Sequence, residues 1–314
     1  MTFSLDTKNE LSRLDLEDKR YQLVELAALV RMNGTISISS RRVNLKFATE
    51  NAAIARRIFS IIKTLYNTEV EVMVRKNSQL KKNNSYLIVI NKGAPSRKLL
   101  EDVGFLRKDK PGVHHYEIPQ ELIEDNLCKR AYIRGAFLGG GSISNPEKTY
   151  HLEFVTNNED FAEDLSKIIN SFGLKSKVIN RKDNYVVYLK ESEQIGDLLN
   201  IIGSHQALLR FEDIRVLKDV RNNINRIVNC ETANLSKTID ASMRQIQHIE
   251  IINNKLGLSS LPENLKILAE IRINNPDASL KEIGQMLDPP IGKSGVNHRF
   301  RKIETIAKEL QGVN

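Results

Sequence analysis

Two stretches set the architecture of this chain: Leu26-Ala27-Ala28-Leu29-Val30-Arg31-Met32-Asn33-Gly34 and Ile133-Arg134-Gly135-Ala136-Phe137-Leu138-Gly139-Gly140-Gly141. Each is apolar, crowded with small residues and closed by glycine. Glycine inside a helix costs about 1 kcal/mol relative to alanine, so Gly135 and Gly139 need a packing reason. Each stretch also opens a longer pattern. Gly34-Thr35-Ile36-Ser37 aligns with Gly141-Ser142-Ile143-Ser144 at an offset of 107 residues. At that offset Leu45-Lys46-Phe47 meets Leu152-Glu153-Phe154, Thr49 meets Thr156, Asn51 meets Asn158, and Ile61-Ile62 meets Ile168-Ile169. Further on the offset falls to 99, pairing Tyr86 with Tyr185 and Gly104 with Gly203. The difference falls in the polar stretch 76–85, where a hairpin loop absorbs it. Ordered matches of this kind mark a duplicated unit.

Both copies show the same series of elements. Apolar helices over 21–32 and 129–138 come first. Hairpins over 35–39 with 42–48, and over 142–144 with 150–155, follow. Every second residue is apolar in Val43-Asn44-Leu45-Lys46-Phe47, the strand period. Amphipathic helices come next, with Ile54, Ile58, Ile61, Ile62 and Leu65 in one copy and Phe161, Leu165, Ile168, Ile169 and Phe172 in the other. Second hairpins (70–74 with 86–90; 176–179 with 185–189) and a short helix close each copy. The expected fold is α+β: tandem αββαββα repeats with pseudo-two-fold symmetry, each with a four-stranded antiparallel sheet.

With this order, the two opening stretches resemble the LAGLIDADG motif of homing endonucleases. The resemblance implies that the motif helices pack along the pseudo-dyad, with Ala27, Ala28, Gly135 and Gly139 letting the backbones approach. It also implies an acidic residue at the eighth motif position of each helix, where two carboxylates hold divalent cations against the scissile phosphates. Those positions are Asn33 and Gly140 here. No Asp or Glu lies between Glu25 and Glu50 or between Asp125 and Glu147, so a slip of one or two residues cannot restore the site. No metal site, catalytic residue or cofactor is expected. The run from Gly135 to Ser142 is a near miss to a phosphate-binding loop, but it lacks the lysine and no strand precedes it. His114, His115, Cys128 and Cys230 have no ligand spacing among them.

From about residue 210 the pattern is purely helical. Leu235, Ile239, Met243, Ile246, Ile249 and Leu256 recur at helical intervals, a helix expected to link two domains. Three shorter helices follow. The first has Pro262 in its first turn and stops at Asn275-Pro276. The second starts at Ser279 with Glu282 three residues later, a capping box. Asp288-Pro289-Pro290-Ile291-Gly292 breaks the chain, and the third runs from near Ser294 to Leu310 with Val296, Phe300, Ile303, Ile306 and Leu310 inward. That leaves Asn297, His298, Arg299, Arg301 and Lys302 outward. A helix-turn-helix has this layout: the start of its last helix enters the major groove, where Arg pairs with guanine and Asn with adenine. Lys293 and Ser294 sit where side chains and helix-start amides meet phosphates, and Ser279 and Lys281 are further candidate DNA-binding residues. The expected division is an N-terminal segment (1–20), a duplicated domain (21–209, repeats about 21–107 and 128–206), a helical linker (210–257) and the helix-turn-helix domain (258–314).

Charge agrees with a polyanionic partner. Of 314 residues, 47 are Lys or Arg and 39 Asp or Glu, a net charge of +8. Between residues 72 and 100 there are Arg75, Lys76, Lys81, Lys82, Lys92, Arg97 and Lys98 and no acid. Hydrophobic residues make up 40%, enough for real cores. No window reaches the roughly 18–20 apolar residues of a membrane span, and the charged opening residues form no secretory signal. The reading is a cytoplasmic, reducing environment.

The chain as a whole resembles the WhiA family of bacterial transcription regulators. The residues that carry this are the degenerate motif helices, the run Asn225-Arg226-Ile227-Val228-Asn229-Cys230-Glu231-Thr232-Ala233-Asn234, and the segment 293–302. The resemblance implies a LAGLIDADG-like domain without cleavage activity joined to a helix-turn-helix. It implies double-stranded promoter DNA as partner, association with the nucleoid, sporulation control in some members, and cell division and chromosome segregation in others. A Lys-, Asn- and Ile-rich composition favours the division role. The basic stretch of the duplicated domain is expected to add phosphate contacts or a surface for a protein partner. The alternatives are a DNA-associated scaffold acting through proteins and a residual metal-dependent nuclease.

Overall fold

A computed structural model describes residues 2–15, 18–39, 42–76, 84–90, 93–107 and 115–312. Its first repeat runs α2 (Lys19–Asn33), β1 (Gly34–Ser39), β2 (Arg42–Thr49), α3 (Ala52–Tyr66), β3 (Glu71–Lys76), β4 (Asn84–Ile90) and α4 (Gly93–Asp102). The second runs α5 (Asn126–Gly140), β5 (Gly141–Ile143), β6 (Leu152–Thr156), α6 (Glu159–Asn170), β7 (Lys177–Arg181), β8 (Asn184–Leu189) and α7 (Ser192–Ile202). This is the expected αββαββα order, twice. The sheets are antiparallel, ordered β1-β2-β4-β3 and β5-β6-β8-β7. Register repeats too: Gly34 lies opposite Phe47, and Gly141 opposite Phe154.

The helix starts repeat for a local reason. Asp18 and Asp125 cap α2 and α5 by accepting from the N–H groups of Arg20 and Cys128, both at 2.7 Å. Asn51 and Asn158 cap α3 and α6 in the same way, accepting from Ala53 and Phe161 at 2.8 and 2.9 Å. Each satisfies amide groups that the first helical turn leaves without partners. Val43, Leu45 and Phe47 of β2 are buried against the helices, as the alternation requires.

Residues 1–20 carry no assigned element in the sequence reading, yet α1 (Phe3–Leu11) forms there, with Phe3, Thr7 and Leu11 buried. Its Glu10 caps the long helix α8 (His205–Leu256), accepting from Gln206 N–H at 2.8 Å, Ala207 N–H at 2.9 Å and the Ser204 hydroxyl at 2.7 Å. That cap starts the helix at His205, earlier than the periodicity alone indicates.

The chain forms two compact units, Met1–Lys218 and Asp219–Asn314. In the second, α9 (Glu263–Asn274), α10 (Leu280–Met286) and α11 (Lys293–Gln311) close around Ile249, Ile252, Leu265, Leu268, Ile283, Val296, Phe300 and Ile303. Ser279 and Glu282 make the expected capping box: the hydroxyl accepts from Glu282 N–H at 3.3 Å and the carboxylate accepts from Ser279 N–H at 2.7 Å. Leu235, Ile239 and Met243, which share a helical stripe with Ile249, are exposed.

Candidate nucleic-acid interface

In the first unit, α2 packs along α5, with Ala27, Ala28 and Ala136 fully buried. A methyl group built at Gly135 collides with the carbonyl of Glu25 and stands 3.0 Å from the Ala28 methyl; one at Gly139 stands 2.6 Å from Met32 Cβ. The glycines are the points where the two backbones approach. Beside this crossing lies a charge cluster. The fully buried carboxylate of Glu25 accepts from Arg57 Nε, from Arg57 Nη2 at 2.9 Å and from Arg134 Nε at 2.9 Å. Arg57 also donates to the Leu14 carbonyl at 2.6 Å, and Arg134 to that of Ile202 at 3.3 Å. One acid thus ties together α2, α3 and α5.

Both degenerate motif positions are the last residues of their helices, Asn33 in α2 and Gly140 in α5. Asn33 presents a neutral amide whose Oδ1 is buried without a hydrogen-bond partner. At Gly140 the space for a Cβ is filled by the terminal methyl of Met32, and the carbonyl oxygen of Val155 is 3.0 Å from it. A hard divalent cation needs anionic oxygens, and this pair supplies none, so the residues present do not fit the metal centre of the endonuclease fold.

The second unit gathers the other candidates. On α11, Val296, Phe300, Ile303 and Ala307 are buried. With about 3.6 residues per turn, the opposite arc runs from Asn297 through Arg301, Ser294, His298 and Lys302 to Arg299. Asn297 and Arg299 are its half-buried margins; Ser294, His298, Arg301 and Lys302 are exposed. Lys293, Ser279 and Lys281 line one recess with the start of α11. The connection into α11 is tight: Ile291 N–H donates to the Gly284 carbonyl at 3.0 Å, and a methyl group at Gly284 would strike the carbonyl of Ile291.

The basic stretch of the first unit divides among elements. Arg75 and Lys76 end the edge strand β3, while Arg97 and Lys98 lie exposed on α4, which packs on β2 and β4. Lys81, Lys82 and Lys92 lie outside the described residues, as does His114. Cys128 is buried and Cys230 exposed. Among the described residues, no group of three or more His, Cys, Asp or Glu side chains is placed to hold a metal ion, and no helix is long and apolar enough to cross a membrane.

Sequence reasoning gave no role to Arg31, which is 3% exposed. It donates to the carbonyls of Ala27, Val103, Gly104, Tyr116 and Glu117 at 3.0–3.3 Å, closing the end of α4 and the segment after it onto α2. The signal available was that Arg31 is the one charged residue in the stretch 26–34.

Three family models match: the WhiA N-terminal LAGLIDADG-like domain over residues 19–106, the WhiA LAGLIDADG-like domain over 129–221 and the WhiA C-terminal HTH domain over 224–307. The chain is 57% identical to a probable cell division protein WhiA of Alkaliphilus metalliredigens, covering 99% of both chains. It is 54% identical to the protein of that name in Clostridium botulinum strain Hall, covering 100% of both. Among solved structures, full-length DUF199/WhiA from Thermatoga maritima aligns with a TM-score of 0.60 at 26% identity, over 98% of this chain and 99% of that one.

Proposed function

Because this chain belongs to the WhiA family, we propose that it is a sequence-specific double-stranded DNA-binding regulator of transcription acting in cell division, with chromosome segregation as an accompanying role. It works at promoters on the nucleoid and cuts no DNA. The observation that carries this reading is the arc on α11, where two exposed cations, Arg301 and Lys302, stand with Asn297 and His298 opposite a buried apolar stripe. A helix held by its apolar side and polar at its N-terminal half fits the major groove, and bidentate Arg and Asn contacts discriminate by about 1–3 kcal/mol each.

Replacing both Arg299 and Arg301 by alanine tests it. The variant is expected to keep its helical content and melting temperature and to lose its preference for promoter fragments in a fluorescence anisotropy titration. Unchanged promoter preference removes α11 from the account. The nuclease alternative is tested by incubating plasmid with Mg²⁺ or Mn²⁺, where cleavage that survives purification controls would defeat the argument from Asn33 and Gly140.

A protein partner on the first unit is favoured by one observation. Val72, Met73 and Val74 are exposed on the edge strand β3, beside an apolar recess lined by Ala52, Ala55 and Phe59 of α3. Chromatin immunoprecipitation separates the two readings, since a scaffold held by proteins gives no sharp, reproducible peaks.

A further inference from the structure

The second unit holds a recess of about 520 Å³ between α8, α9, α10 and α11. Every ionisable side chain on its wall is cationic: Lys237 from α8, Arg272 from α9, Lys281 from α10 and Lys293 from α11. Four cations around one void with no carboxylate among them repel each other, and an anion relieves that repulsion.

Arg272 sharpens the point. It is 1% exposed, its Nη1 donates to the carbonyls of Ala278 at 2.6 Å and Pro276 at 3.3 Å, and its guanidinium carbon lies 5.4 Å from the centroid of the Phe300 ring. None of these neighbours is an anion, and its Nε has no hydrogen-bond partner. A charge so placed is a fixed positive floor. On the facing wall, Asn234 and Lys237 of α8 are exposed. The hydroxyl of Thr238 is already donated to the Asn234 carbonyl at 2.9 Å and one Asn234 amide hydrogen to Cys230 Sγ at 3.7 Å, which leaves the second Asn234 amide hydrogen and the Lys237 ammonium among the donors there. A neutral amide beside a lysine is a common way of holding phosphodiester oxygens. Lys293 is the first residue of α11, so the recess opens beside the end of the helix that carries the arc described above.

We propose that this recess clamps the phosphodiester backbone bordering the groove that α11 enters, with Lys237 and Asn234 of the long helix α8 as contacts that a three-helix reading of the domain leaves out. The proposal rests on the DNA-binding reading of the second unit and extends its footprint onto α8.

The test uses the full chain and two fluorescein-labelled 30-base-pair duplexes, one selected by the wild type from a randomised pool and one of mixed sequence, titrated from 50 to 300 mM KCl. Replacing Lys237 by alanine is expected to weaken binding about fivefold on both duplexes and to lower the salt slope by about one, as loss of a phosphate contact does. Lys237→Arg keeps affinity and slope; Asn234→Ala weakens both duplexes equally. Circular dichroism checks that helical content is unchanged. Unaltered affinity and slope in Lys237→Ala overturn the clamp, and so does a loss confined to the selected duplex, which would mean base reading. The Arg299→Ala, Arg301→Ala variant serves as control: it loses the preference between duplexes while Lys237→Ala retains it. A wild type with no salt-dependent binding to either duplex overturns the DNA reading itself, a result distinct from a clamp failure in a chain that binds.

Discussion

Glu25 is a carboxylate wholly shielded from solvent, held by two guanidinium groups that are themselves almost wholly buried. Removing one member of such a cluster leaves charges that nothing compensates, typically a loss of about 3–5 kcal/mol. Glu25→Ala is therefore expected to lower the unfolding free energy of the first unit by about that amount in urea titration, whereas substitution of the exposed Glu124 changes it by less than about 1 kcal/mol. Lys8 gives a pH signature. Burial pushes its ammonium down from the usual 10.5 to about 8. Between these values the unfolded chain holds more protons than the folded one, so this group makes stability rise with pH across that window. Lys8→Met is expected to be more stable than the wild type at pH 7 and to lose that rise, read as melting temperature at several pH values from 7 to 10.5.

The packing of α2 on α5 depends on what is missing from two side chains. Gly135→Ala improves helix propensity by about 1 kcal/mol, but its methyl group meets backbone on the facing helix, which cannot rotate away. Forcing extra volume into a close-packed site costs about 1–3 kcal/mol, so the variant is expected to be no more stable than the wild type, and the helix pair is the part that loosens in hydrogen exchange. Element order, sheet pattern and the capping box at Ser279 were all legible in the sequence, because they rest on local periods and local hydrogen bonds. Three things were not. The anchoring of α1 by Glu10 joins residues nearly two hundred positions apart. The roles of Glu25 and Arg31 are invisible to a reading that assigns charged residues to the surface. The stripe Leu235, Ile239 and Met243 shows which residues share a side of a helix, but periodicity does not say whether anything covers that side. For the candidate interface on α11, pattern identified the arc, while the half-buried margins at Asn297 and Arg299 required packing.

For the whole molecule, the net charge of +8 matters less than where cations collect without acids. If about six phosphates are contacted, affinity for a duplex is expected to fall roughly 10³-fold between 50 and 200 mM salt, measured as the slope of log affinity against log salt. A slope near zero would disconnect the basic surfaces from DNA. Duplication explains why the first unit keeps its shape without acids at the motif's eighth positions: helix caps and strand register recur in both halves and do not use those positions. The methyl of Met32 over Gly140 then has an evolutionary consequence. Installing one acid there would crowd the thioether and set like partial charges against the Val155 carbonyl, while Asn33 would still contribute no charge. A metal centre at these positions therefore demands several coordinated changes, and no single substitution supplies the pair of anionic oxygens that such a centre needs.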